Sequence, residues 1–162
     1  MSTNKNYISP PIRAVRRYPT IPGFLARAVR TYGDRVALRL PVSREGRFTI
    51  QETTYRELWD FSGRLASWLH SRGVREGDRV AIVAKPSVGW AVAFFAIQRL
   101  GAVAMPLDAG LQAPEIRRLL LEAEASMLFC APERYPELLA LKKDVPGLLD
   151  VVALERAEGV VS

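Results

Sequence analysis

GDRVAIVAKPSVGWAVAFFAIQRLGAVAMP, residues 77–106, decides the fold. Val80, Ala81, Ile82, Val83 and Ala84 form an unbroken apolar run, the pattern of a strand covered on both faces in a parallel sheet. Lys85 and Pro86 stop it, and Ser87 is a good helix N-cap. Residues 88–100 are too long for a strand and apolar nearly all round, as a helix wedged against a sheet would be. Gly101 stands where the helix end needs a residue tolerant of positive φ. Residues 102–105 then read as a second buried strand, ended by Pro106. Strand, helix and strand in this order make a right-handed crossover unit, and the rest of the chain reads as its extension or cover.

The length of 162 residues fits one domain with a sizeable core. The apolar share of 49% and charged share of 25% are ordinary for a water-facing globular protein. Net charge is +6, and 19 of the 23 basic residues are arginine. They are spread along the chain instead of forming a stripe, which argues against a nucleic-acid partner. Cys130 is the only cysteine, so an internal disulfide is excluded and a reducing compartment fits. No apolar run reaches the ~18 residues of a membrane span. With no signal-peptide pattern at the start, a cytoplasmic location is expected.

Outward from the central unit, residues 1–20 carry three prolines and four cationic side chains without a helical or strand period. They read as a loosely ordered basic arm. Residues 21–32 predict a short helix with Phe24, Leu25, Ala28 and Val29 on one side, stopped by Gly33 and Asp34. Residues 36–40 and 48–52 predict a hairpin around Arg44, Glu45 and Gly46. Residues 53–72 give the clearest amphipathic helix, with a Thr54–Glu57 capping box and Leu58, Phe61, Leu65, Trp68 and Leu69 at three- and four-residue spacing. Beyond Pro106 come a loop at 107–111, a helix opened by Pro114 and Glu115, and a buried strand at 126–130. A helix opened by Pro136 and a last strand at 150–154 follow. The inward residues of the helix after Pro114 are Ile116, Leu119, Leu120 and Ala123. About four strands alternating with helices over residues 79–154 predict an α/β fold with a doubly wound, mostly parallel sheet. The domain proper is residues 21–154, and residues 155–162 are a tail.

Such sheets work at the carboxyl ends of their strands. The loops predicted there are residues 85–87, 107–111 and 131–132. None is a phosphate cradle, and neither G-x-G-x-x-G nor G-x-x-x-x-G-K-[ST] occurs. Asp108 stands alone, without the carboxylate partners of a magnesium site. His70, near a helix end, reads as an exposed or capping residue. Cys130 ends an apolar strand and reads as a small buried hydrophobe. Lys85 could face a ligand cleft, although an exposed loop lysine is the default reading. Trp90, Phe94 and Phe95 could line an acyl pocket, with core packing the favoured alternative. On these residues alone, no catalytic, cofactor-binding or metal-binding residue is assigned.

Several segments nevertheless resemble the start of the adenylate-forming ligases: acyl-CoA synthetases, firefly luciferase and peptide-synthetase adenylation domains. Thr54-Tyr55-Arg56-Glu57-Leu58 matches the family's Thr-Tyr-x-Glu-Leu helix start. Gly73-Val74, then Gly77-Asp78-Arg79-Val80-Ala81, matches its turn into the first sheet strand. Residues 100–107, LGAVAMPL, match its Gly-Ala-Val-x-x-Pro-Leu segment, and Glu115-Ile116 with Leu119-Leu120 resemble the helix that follows. Ile21-Pro22-Gly23-Phe24-Leu25 and Tyr32-Gly33-Asp34 look most like long-chain fatty acid–CoA ligases. Departures are Asp108-Ala109 in place of Asn-Pro or Tyr-Pro, Gln112 in place of a Ser or Thr cap, and Lys85-Pro86-Ser87-Val88-Gly89-Trp90 in place of Asn-x-Pro-Glu-Trp.

The resemblance implies a two-step reaction. A carboxylate attacks the α-phosphate of ATP with magnesium assisting, giving an acyl-adenylate and pyrophosphate. A thiol, usually coenzyme A, then displaces AMP. The family's Lys-bearing phosphate loop, aromatic-Gly-x-Thr-Glu segment, ribose-binding Asp and catalytic Lys have no match here. The expectation is therefore a structural, inactive opening part of a longer fatty acid–CoA ligase. Its partner would be the remainder of that chain, and self-association would follow if apolar surface stays uncovered. The alternative is a stand-alone α/β interaction module that kept the fold and lost the chemistry.

Overall fold

The computed structural model describes residues 20–44 and 47–154, with backbone alone at 42–44 and 47. The readings of residues 1–19 as an arm and 155–162 as a tail lie outside the described residues. Strand β3, Arg79–Val83, lies at the centre as expected. Its side chains alternate: Val80 and Ile82 enter one hydrophobic layer, Ala81 and Val83 the opposite one. All four are fully buried, which is why the run carries no polar side. Strand β4 is Val103–Leu107, β5 Met127–Cys130 and β6 Asp150–Ala153. They pair parallel in the order β4-β3-β5-β6, with Val80 opposite both Ala104 and Met127.

That order fixes where the helices lie. The chain leaves β3 toward one edge through α3, Val88–Arg99, and returns across β3 through α4, Ala113–Glu122. Right-handed crossovers in opposite directions put the two helices on opposite faces. The core bears this out. Val92, Ala93, Ala96 and Ile97 of α3 pack with Val80, Ile82 and Phe129, whereas Ile116 and Leu120 of α4 pack with Ala81, Val83 and Leu128. Helices α1, Ile21–Tyr32, and α2, Tyr55–Ser71, thicken the α3 layer through Leu25, Leu58, Leu65 and Leu69. The sheet is doubly wound, as expected.

Local signals set the element ends. The Ser87 hydroxyl accepts from the Trp90 amide at 3.0 Å, and the Thr54 hydroxyl accepts from the Glu57 amide at 3.1 Å. The Thr54 amide in turn donates to Glu57 Oε2 at 2.8 Å, completing the capping box. Gly101 has φ of 74°, the left-handed turn that sends the Ala102 amide back to the Ile97 carbonyl at 3.2 Å.

Five expectations need correction. Strand β4 is the sheet's edge and only half-buried, with Val103 48% exposed. Pro106 lies inside β4, opposite Ile82, instead of ending it; an edge strand has one partner, so an absent outward N–H costs nothing. Phe24 is 56% exposed and does not join Leu25 and Ala28 inside. The helix expected from Pro136 is three short pieces: a 3₁₀ turn Pro132–Arg134, α5 Tyr135–Leu139, and a 3₁₀ turn Ala140–Lys143. The hairpin also runs longer than read, as β1 Val36–Arg44 and β2 Arg47–Thr54.

Candidate functional site

Loops leaving β3 and β5 turn to opposite faces, so the sheet's carboxyl edge is split open there, the place where such sheets take ligands. The largely apolar depression at this edge lies on the β3–β4 side. It encloses about 500 Å³ and is open to solvent. One wall is Ala84, Lys85 and Pro86 after β3; the other is residues 106–110; Trp90 of α3 closes the inner side. Lys85 is exposed and makes no hydrogen bond or ion pair among the described residues. Asp108 is spent on its own loop, where Oδ1 accepts from the Gly110 amide at 2.7 Å. Trp90 stacks on Phe94 with ring centroids 5.5 Å apart, and Phe94 meets Phe95 edge-on at 5.6 Å. All three rings are half-buried against the α3 layer, so core packing and cleft lining meet in Trp90, and Phe94 and Phe95 back it.

The remaining candidates lie elsewhere. His70 is exposed in the last turn of α2. Cys130 is buried and free at the end of β5; burial pushes its thiol up to about 11, against a smaller opposing pull from the Arg134 charge. Among the described residues no cluster of three His, Cys, Asp or Glu is placed to hold a metal. One free cation and one committed carboxylate do not make the donor set a metal-bound triphosphate needs. The depression can hold an apolar group, with the Lys85 cation on its wall.

Two arginines went unread in the sequence. The Arg99 guanidinium lies 3.7 Å over the Trp59 ring and donates through Nη1 to the Trp59 carbonyl at 2.6 Å and the Ser62 hydroxyl at 3.2 Å. It lies over Gly63, where a Cβ would come within 3.0 Å of Nη2, and so clamps α3 to α2. Burial lowers its pKa, partly offset by Asp60. The second, Arg134, is half-buried beside the cleft loop. The signal that could have found it is a cation just past a strand's carboxyl end with Glu137 three residues on.

Fold and cleft together define an α/β domain of the kind that binds ligands beyond its parallel strands. The chain belongs to the AMP-binding enzyme family, whose profile matches residues 25–160. A cyclo-acetoacetyl-L-tryptophan synthase of Aspergillus oryzae is 32% identical over 122 residues, 75% of this chain and 3% of that protein. A carboxylic acid reductase of Mycobacterium tuberculosis is 35% identical over 112 residues, 68% of this chain and 9% of that protein. A crotonobetaine/carnitine–CoA ligase of Salmonella paratyphi A is 31% identical over 105 residues, 65% of this chain and 20% of that protein. The fold superposes with a TM-score of 0.73 on a protein of Rhodopseudomonas palustris provisionally assigned as a long-chain-fatty-acid CoA ligase, at 24% identity, covering 86% of this chain and 34% of that one. The chain thus spans a fifth or less of the length of these curated relatives.

Proposed function

We propose that this chain forms the opening part of an acid–thiol ligase that activates a fatty acid with ATP and magnesium and passes the acyl group to coenzyme A. The carrying observation is the family match together with a parallel sheet whose carboxyl-edge cleft is largely apolar, lined by Lys85, Trp90, Pro106 and Leu107. Such a cleft suits one wall of a dry acyl channel, where exclusion of water strengthens the electrostatics around the reacting carboxylate. The charge neutralisation that adenylate formation needs must come from groups beyond these residues. The role proposed for the chain is therefore structural, in a cytoplasmic enzyme, with the remainder of the ligase as its partner.

Two measurements test this. Calorimetry of the 162-residue chain with ATP and magnesium should show no binding in the micromolar range; micromolar binding would overturn the structural assignment. Translation of the complete reading frame should yield a protein that releases pyrophosphate only when a fatty acid is present. Release driven equally by short hydrophilic acids would overturn the substrate class.

A further inference from the structure

The cleft wall after β4 is held from behind. Residues 108–111 form a short loop between β4 and α4, and the carbonyls of Ala109 and Leu111 receive no backbone amide among the described residues. Both are instead met by one side chain. Arg134, in the 3₁₀ turn after β5, donates from Nη1 to the Leu111 carbonyl at 2.8 Å and the Ala109 carbonyl at 3.2 Å. Its Nε and Nη2 both donate to Glu137 Oε2, at 3.2 and 3.1 Å. The side chain is only 18% exposed. Strands β4 and β5 flank β3, so this guanidinium links the two loops that border the carboxyl end of the central strand.

We infer that Arg134 is a positioning residue for the cleft: by holding the Ala109 and Leu111 carbonyls it fixes the loop that carries the Ala109–Gly110 wall in register with Lys85 and Trp90, without itself lining the space. The inference rests on the proposal that this cleft holds the acyl substrate. Physically, the loop's own ties are few and short-range: Asp108 Oδ1 accepts from the Gly110 amide at 2.7 Å, the Leu111 amide donates to the Asp108 carbonyl at 3.3 Å, and Gln112 Nε2 donates to the Gly110 carbonyl at 3.3 Å; none of them reaches a neighbouring element. A planar guanidinium meets both carbonyls through Nη1 while Nε and Nη2 stay on Glu137, a fixed geometry that a point-charge ammonium does not impose. The fork is pre-organised by Glu137 before it meets the loop, so little further order has to be imposed on it.

The test uses Arg134→Met and Arg134→Lys. In the 162-residue chain, amide hydrogen exchange at Gly110 and Leu111 is compared with exchange at Leu128 and Phe129 in β5. Arg134→Met should speed exchange of the loop amides by about tenfold, the factor expected for a lost charge-assisted bond, and leave the β5 amides unchanged. Arg134→Lys should restore part of the protection. Unchanged loop exchange overturns the inference, and so does an equal rise in β5, which marks general loosening. In the ligase translated from the complete frame, Arg134→Met should raise KM for the fatty acid several-fold with kcat nearly kept; a fall in kcat at constant KM also overturns it. If the wild-type ligase shows no acid-dependent pyrophosphate release, the substrate reading fails, and the exchange comparison still decides whether Arg134 holds the loop.

Discussion

Two β regions of this chain carry large apolar side chains to opposite fates. In β3 and β5 both sets of alternating side chains are buried, because α1–α3 cover one face of the sheet and α4–α5 the other. In the β1–β2 hairpin, Leu38 and Leu40 pack on the α3 layer, yet Phe48 is 83% exposed and Ile50 68% exposed. The hairpin keeps its register through its backbone pairing and an exposed Arg39–Glu52 ion pair at 2.8 Å, a contact worth little in water. A strand's own sequence sets its pleat; what lies across from it sets its burial. Stability should therefore concentrate in the sheet, and substitutions there and in the hairpin should separate sharply.

The largest effect is expected at Phe129, 1% exposed at the centre of β5. Phe129→Ala should cost about 3–5 kcal/mol in urea unfolding, the range for emptying a close-packed aromatic site. The neighbouring Cys130 supplies an independent readout. Its thiol is covered and, with its pKa pushed up to about 11 by burial, stays protonated at pH 8. Maleimide should thus label it only through unfolding, and labelling should accelerate in Phe129→Ala in step with the lost stability. Rapid labelling of the native wild type at pH 8 would contradict the burial of β5.

A smaller effect is expected at the rim, where β6 is tied to the helical layer. Burial of Asp150 opposes its ionisation, but the Arg72 hydrogen bond, the Val151 amide at 3.0 Å and Lys142 at 3.4 Å together hold its carboxyl below the usual range. The unfolded carboxyl, near 3.9, takes up protons first as the pH falls, about as an unperturbed Asp does. The stabilisation is therefore complete above about pH 5 and is lost as the pH drops through the folded value. Asp150→Asn should cost about 1–2 kcal/mol at pH 7 and flatten the fall in stability between neutral and acid pH. Urea titrations from pH 7 downward check it; parallel curves for the two proteins would show that Asp150 contributes no pH dependence.

What the sequence made legible follows the same division. The limits of α1, the Ser87 and Thr54 caps and the alternation from Arg79 onward depend on local chemistry, and all could be read before the structure. The exposure of Val103 could not, because an edge strand and a central strand carry the same apolar run until the strand order is known. Phe24 was misplaced for a related reason: helical spacing puts it on the side of Leu25 and Ala28, yet it stays 56% exposed. At the cleft, Lys85, Trp90 and Asp108 were visible as loop and cap residues. Arg134 was not, since its meaning lies in two carbonyls more than twenty residues earlier. Gly63 and Arg99 are likewise distant in sequence and in contact only once α2 and α3 pack.

The smallest effect on folding is expected at the hairpin, and it sharpens the contrast most. Phe48 and Ile50 stay mostly in solvent on folding, so Phe48→Ser with Ile50→Thr should change stability by only about 0.5 kcal/mol. These side chains should matter instead between molecules. An exposed apolar patch gains by being covered, so self-association of this chain is expected to run through Phe48 and Ile50. Light scattering should then show an average mass that rises with concentration for the wild type and stays flat for the double variant. A wild type that remains monomeric throughout would refute the association. A double variant that unfolds several kcal/mol earlier would refute the larger claim, because it would mean that the hairpin shares the core the sheet encloses.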